Sequence, residues 1–151
     1  MKTIALYALA AAFVAAGVMN VRYGSANGVS EEPDEVWHQD TAGVAESAAL
    51  NDRFGFANVC GDFDDDGFSD VAVGVPGEDL SSPTVTDAGA VNVFYGSDDG
   101  LTADRDVVFH QNSTGVKDPA EAGDAFGSAL IVGDFDGDGY DDLGIGVPTE
   151  D

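Results

Sequence analysis

The chain has 151 residues, enough for one small domain, and its charge is lopsided, with Lys+Arg 5 against Asp+Glu 29 and a formal net charge of -24. That balance excludes nucleic acid and the anionic face of a membrane as partners, because both are recognised by basic surfaces. Cys60 is the single cysteine, so an intrachain disulfide is excluded too.

Met1-Lys2 precedes an apolar, alanine-rich run from Ile4 to Val14, and Val14-Ala15-Ala16 puts small residues where a signal peptidase reads. Residues 1–16 are therefore expected to be a secretory signal cleaved near Ala16, with an uncleaved anchor over Thr3 to Val21 as the competing reading. The remainder, 17–151, is then secreted or displayed at the cell surface, with no membrane insertion apart from that segment. It shows no sustained helical period. Short apolar runs closed by glycine and proline read as strands. Strand A is expected from about Phe54 to Cys60, strand B from about Asp70 to Val75, strand C from about Ala90 to Tyr95 and strand D from about Val107 to Gln111. Between C and D, Gly96-Ser97-Asp98-Asp99-Gly100 is a hairpin turn by composition.

Strands A and B are joined by Asp62-Phe63-Asp64-Asp65-Asp66-Gly67-Phe68-Ser69-Asp70, with acids at positions one, three, five and nine around a glycine at position six. The spacing returns as Asp134, Asp136, Asp138, Gly139 and Asp142, an offset of 134 − 62 = 72 residues. Two unit charges 4 Å apart in an intermediate dielectric repel by roughly 4 kcal/mol, so such a cluster implies a cation among the carboxylates. Calcium fits best, since it accepts about 6 to 8 oxygens from a flexible loop, whereas magnesium demands a near-ideal octahedron. An EF-hand would need a bidentate Glu at the twelfth position and flanking helices. Val73 and Ile145 stand there instead, so the closing carboxylate falls to Asp70 and Asp142, in a loop joining two strands.

The offset aligns Trp37 to Asp79 on Phe109 to Asp151 without a gap and with about half the positions identical, which marks a duplication. The repeat units run from about 17 to 88 and from 89 to 151. Four antiparallel strands per unit make the blade of a β-propeller, an all-β fold. Closure takes about 4 to 8 blades. The outer strands of one blade, all of a second and the inner strands of a third amount to an incomplete propeller of about two blades, and further blades are expected in a longer chain.

Phe54-Gly55, the acidic loop and Gly74-Val75-Pro76, echoed by Phe126-Gly127, the second loop and Gly146-Val147-Pro148, resemble FG-GAP repeats, the blade units of the integrin α-subunit N-terminal propeller. The last triplet is G-V-P in place of G-A-P. The resemblance implies calcium held between strands A and B, about two sites in all. The ligands it implies are the side chains of Asp62, Asp64, Asp66 and Asp70 with the carbonyl of Phe68, and those of Asp134, Asp136, Asp138 and Asp142 with the carbonyl of Tyr140. It also implies that Phe54 and Phe126 are core anchors.

His38 and His110 occupy equivalent positions and are read as structural, and Cys60, equivalent to Val132, as a small residue in a buried strand. Asn112-Ser113-Thr114 fits the glycosylation acceptor pattern in a surface loop. No nucleophile elbow, zinc-protease motif, P-loop or dinucleotide fingerprint occurs, so the chain is not read as an enzyme. The function expected is an extracellular calcium-binding propeller for ligand binding or cell adhesion, its partner an extracellular protein or glycan. The alternative is an accessory propeller of a secreted hydrolase such as a phospholipase or a glycan-acting enzyme.

Overall fold

The computed structural model describes residues 16–29, 35–81 and 84–150, so all but the last residue of the expected signal segment, 1–16, lies outside the described residues. The strands are β1 (Met19–Val21), β2 (Gly24–Ser25), β3 (Gly28–Val29), β4 (Glu35–Trp37), β5 (Ala57–Gly61), β6 (Asp70–Val75), β7 (Leu80–Ser81), β8 (Thr84–Val85), β9 (Ala90–Tyr95), β10 (Thr102–Phe109), β11 (Ala129–Gly133) and β12 (Asp142–Gly146). The centre is a four-stranded antiparallel sheet in the order β10-β9-β6-β5, one whole blade. On one side of it lies the pair β1-β4, equivalent to its outer strands, and on the other the pair β11-β12, equivalent to its inner strands. The sheets do not close into a ring.

The expected strands B and C are β6 and β9, residue for residue. β6 is buried at every position, because its two faces meet two different neighbours. Val71, Val73 and Val75 face the β1-β4 side, where they pack with Met19, Trp37, Phe54 and Phe94. The Trp37 and Phe94 rings stand 5.0 Å apart at 48°, and Phe54 and Phe94 6.2 Å apart at 57°, tilted arrangements that aromatic quadrupoles favour. The opposite face carries Ala72, Val91 and Val93 against Phe126, Leu130, Leu143 and Ile145 of the β11-β12 side. Each interface is thus large aromatic and aliphatic side chains from two successive units, the arrangement of stacked blades.

One contact explains why Phe-Gly opens each blade. Phe54 N–H donates to the Ala16 carbonyl at 2.6 Å, and Phe126 N–H to the Ala88 carbonyl at 2.9 Å, one repeat on. The glycines after those alanines are pressed against the phenylalanine backbone: a Cβ on Gly89 would meet Phe126 O at 2.3 Å, and one on Gly17 would meet Phe54 O at 2.2 Å. Both have positive φ as well, so only glycine serves there. Phe54 and Phe126 are buried, as core anchors should be. Ala16, whose carbonyl makes this contact, is itself buried.

Strand A begins at Ala57, three residues later than expected, because Phe54 and Gly55 make this inter-unit contact. Strand D begins earlier, at Thr102, and carries a register irregularity between Thr102 and Val107. Cys60 corrects the sequence reading: it is exposed. In β5 the burial alternates, with Ala57 and Val59 turned toward the β11-β12 side and Asn58 and Cys60 away from it. The away side of β5 is bare because the preceding unit contributes only β1 and β4 among the described residues.

Candidate metal centre

The A-to-B turn of the central blade spans Gly61 to Asp70, and these two residues pair across the strand ends. Within it Asp62, Asp64 and Asp70 bring carboxylate oxygens within 4.8 Å of one another, and in the next unit Asp134, Asp136 and Asp138 do the same. Each cluster can hold a divalent metal ion. Asp66 and Asp142 stand outside their clusters, so each unit gathers three of its four spaced acids and the two units differ in which is left out. Asp66 Oδ1 accepts the Phe68 N–H at 2.9 Å, and Asp142 Oδ2 the Phe135 N–H at 2.8 Å. The Phe68 and Tyr140 side chains point to solvent.

Both loops are folded by their own first acid. Asp62 Oδ1 accepts the Asp66 N–H and Oδ2 the Gly67 N–H, at 3.1 and 3.0 Å. Asp134 takes the Gly137 and Asp138 N–H groups on Oδ1, at 2.7 and 3.1 Å, and Gly139 N–H on Oδ2 at 3.1 Å. Gly67 and Gly139 sit at φ 88° and 98°, the turn conformation their position demanded. Asp70 is fully buried, with Oδ2 on the Phe63 N–H and Oδ1 on the Gly96 N–H, each at 2.8 Å. Burial pushes its carboxyl above the usual range, the two N–H groups hold it down, and Asp64 and Asp66 push it up again. Asp64 Oδ1 is buried with no hydrogen-bond partner. A buried, unsatisfied carboxylate oxygen beside two further carboxylates is a donor set that fits a hard divalent cation.

Two contributors were not visible in the motif. Arg105 Nη2 reaches Asp64 Oδ2 at 3.0 Å while its guanidinium lies 4.7 Å from the Tyr95 ring centroid. Its equivalent one repeat earlier is Pro33, so periodicity carried no signal for it; its rarity as a cation in an acidic chain did. Asp141 Oδ2 accepts the Asp62 N–H at 3.0 Å, joining the two loops.

The opposite end of the blades carries the long connections. A cleft of about 500 Å³ opens there, lined by Glu46, Glu78, Asp79, His110 and Asn112 among others. Glu78 is buried and accepts from Gln39 Nε2, and Glu150 accepts from Gln111 Nε2 one repeat on. Burial, reinforced by the nearby Asp52, pushes the Glu78 carboxyl up to about 7. Both histidines open equivalent turns, His38 N–H donating to Thr41 Oγ1 and His110 N–H to Ser113 Oγ at 3.0 Å each, and neither belongs to a metal cluster among the described residues. The repetition supports their structural reading. Asn112 lies exposed, and its side-chain oxygen accepts the Ala120 N–H at 3.2 Å.

A profile of the FG-GAP repeat matches residues 54–94 and 126–151, the two stretches that hold the Phe-Gly contact, the acidic loop and strand B. The chain carries an FG-GAP repeat domain. These repeats are structural and binding units, not catalytic ones. The FG-GAP chain is 36% identical over 97 residues to the phosphatidylinositol-glycan-specific phospholipase D of Bos taurus, covering 64% of this chain and 11% of the relative. It is 38% identical over 97 residues to the Mus musculus protein of that name, with the same coverage. It is also 36% identical over 109 residues to integrin alpha-PS2 of Drosophila melanogaster, covering 70% of this chain and 6% of the relative. This FG-GAP domain therefore spans about a tenth or less of the length of the curated relatives it matches. No helix among the described residues is long and apolar enough to cross a membrane.

Proposed function

We propose that the chain is a calcium-stiffened, non-catalytic binding module that accompanies a larger secreted hydrolase. The observation that carries this reading is the similarity to phosphatidylinositol-glycan-specific phospholipase D of four mammals, over 64 to 73% of this chain. Asp62, Asp64, Asp66 and Asp70 would hold one ion and Asp134, Asp136, Asp138 and Asp142 another, with the carbonyls of Phe68 and Tyr140 completing the oxygen sets. The ion's part is electrostatic: it neutralises the crowded carboxylates and ties each A-to-B turn down. Binding of an extracellular protein or glycan then falls to the opposite face, where Gly77 to Ala88 and Asn112 to Asp124 form long connections on a rigid scaffold.

The similarity to integrins alpha-PS2 and alpha-PS5 supports a second reading, a propeller serving cell adhesion. Isolation of the full-length gene product from its host separates the two. A product released into the medium with a hydrolase domain on the same polypeptide supports the first reading. A cell-surface product with repeats and an anchor but no hydrolase domain overturns it in favour of the second.

A further inference from the structure

The two acidic loops are in contact. Asp62 N–H donates to Asp141 Oδ2 at 3.0 Å, and Asp141 N–H donates to the Asp62 carbonyl at 3.3 Å. The first acid of one loop is thereby clamped at both of its backbone polar groups by a residue of the next unit. The approach is close: a Cβ on Gly61 would lie 2.9 Å from Val132 Cγ1 and 3.1 Å from Asp141 Oδ2. Asp141 is flanked in sequence by Tyr140 and Asp142, at the close of the second loop. At the equivalent place in the first loop the chain has Ser69, so this carboxylate departs from the repeat where a contact with the preceding unit is made.

We infer that Asp141 is a positioning residue that couples the two loops, so that a divalent cation bound in one raises the affinity of the other; this rests on the reading of the loops as cation sites. Closing the second loop on an ion fixes Tyr140 and Asp142, and with them the Asp141 backbone and side chain. That holds the Asp62 backbone in place before the first loop closes, and the ordering cost of the second event falls. A carboxylate accepting a backbone N–H forms a stronger bond than a neutral acceptor does, which makes the clamp stiff. By linkage the effect must run equally in the other direction.

Calcium titration calorimetry of the 151-residue chain and its variants tests this. The intact chain is expected to bind with a Hill slope above unity. Asp134→Ala or Asp136→Asn, two independent ways to empty the second loop, should weaken the first loop by about fivefold or more, the low end of ordinary coupling. In an Asp141→Ser background the same substitutions should change the first loop by less than about twofold, a double-mutant cycle that isolates the clamp. Asp141→Asn keeps an oxygen for the Asp62 N–H without the charge, and should retain a slope above unity, which separates the hydrogen bond from a general loss of negative potential. In calcium-free protein the Asp62 amide should exchange more slowly in the intact chain and in Asp141→Asn than in Asp141→Ser. Two independent sites in the intact chain, or an equal loss at the first loop with Asp141→Ser already present, overturn the coupling alone. Absence of calcium binding in the folded chain overturns the cation reading and the coupling with it.

Discussion

Replacing Glu78 by Gln should make folding less dependent on pH. Glu78 is 6% exposed, it accepts from Gln39 Nε2, and Asp52, Glu46 and Asp79 all add negative potential to it. The Gln39 Oε1 atom is buried without a hydrogen-bond partner, so a protonated Glu78 can give it a hydrogen and form the two-bond ring of a carboxylic acid with an amide. The folded state raises this carboxyl from 4.5 to about 7. Below pH 4.5 both folded and unfolded chains carry the proton, and the stabilising contribution is fully present. Between 4.5 and about 7 the unfolded chain ionises while the folded one does not, and stability falls as pH rises; above about 7 the loss is complete. At about 1.4 kcal/mol per unit the Glu78 contribution to that fall is about 3 kcal/mol. Glu78→Gln keeps the paired geometry and removes the titration. Urea unfolding at steps between pH 5 and pH 8, native against variant, reads it as a difference that grows in favour of the variant as pH rises. Parallel stability curves for the two proteins would refute the reasoning.

Phe126→Ala removes the buried ring that seals the second inter-unit core, and is expected to cost about 3 to 5 kcal/mol by urea unfolding; a loss under about 1 kcal/mol would show that the third unit does not lean on it. Arg105→Ala removes an exposed ion pair and should cost less than about 1 kcal/mol of stability. It also removes a positive charge beside Asp64, so calcium affinity at the first loop should rise about two- to fivefold in calorimetry, and a weaker site would mean that Arg105 orders the loop more than it competes with the ion. Cys60, exposed on β5, should react with a thiol reagent in native protein as fast as in urea; full protection until unfolding would contradict the placement of β5.

The parts of the fold that were legible in the sequence are those whose neighbours repeat. β6 and β9 could be bounded because Asp70 to Val75 and Ala90 to Tyr95 are buried in nearly every position and punctuated at both ends. The acidic loops announced themselves by spacing alone, though not which three of the four acids would converge: the two loops share that spacing yet gather different sets. Strand D was cut short because Asp104, Arg105 and Asp106 are a polar run and the register shifts between Thr102 and Val107, which leaves no alternation to read. Cys60 was misplaced because burial of an innermost strand depends on what stands on both sides of it. Arg105 and Asp141 were missed for a related reason. The Arg105 ion pair bridges strand D and the A-to-B loop, the Asp141 clamp crosses from one unit to the next, and each stands at a position where the repeat is broken, so periodicity was silent about both.

The most direct test of the central claim, that the two acidic loops are cation sites of FG-GAP blades, is calcium titration calorimetry of the native chain beside Asp64→Ala, which removes a member of the first cluster. About two calcium ions are expected per native chain, one in the variant, and much weaker binding of magnesium to both. Two sites persisting in Asp64→Ala, or a folded chain that takes up no calcium, would contradict the claim.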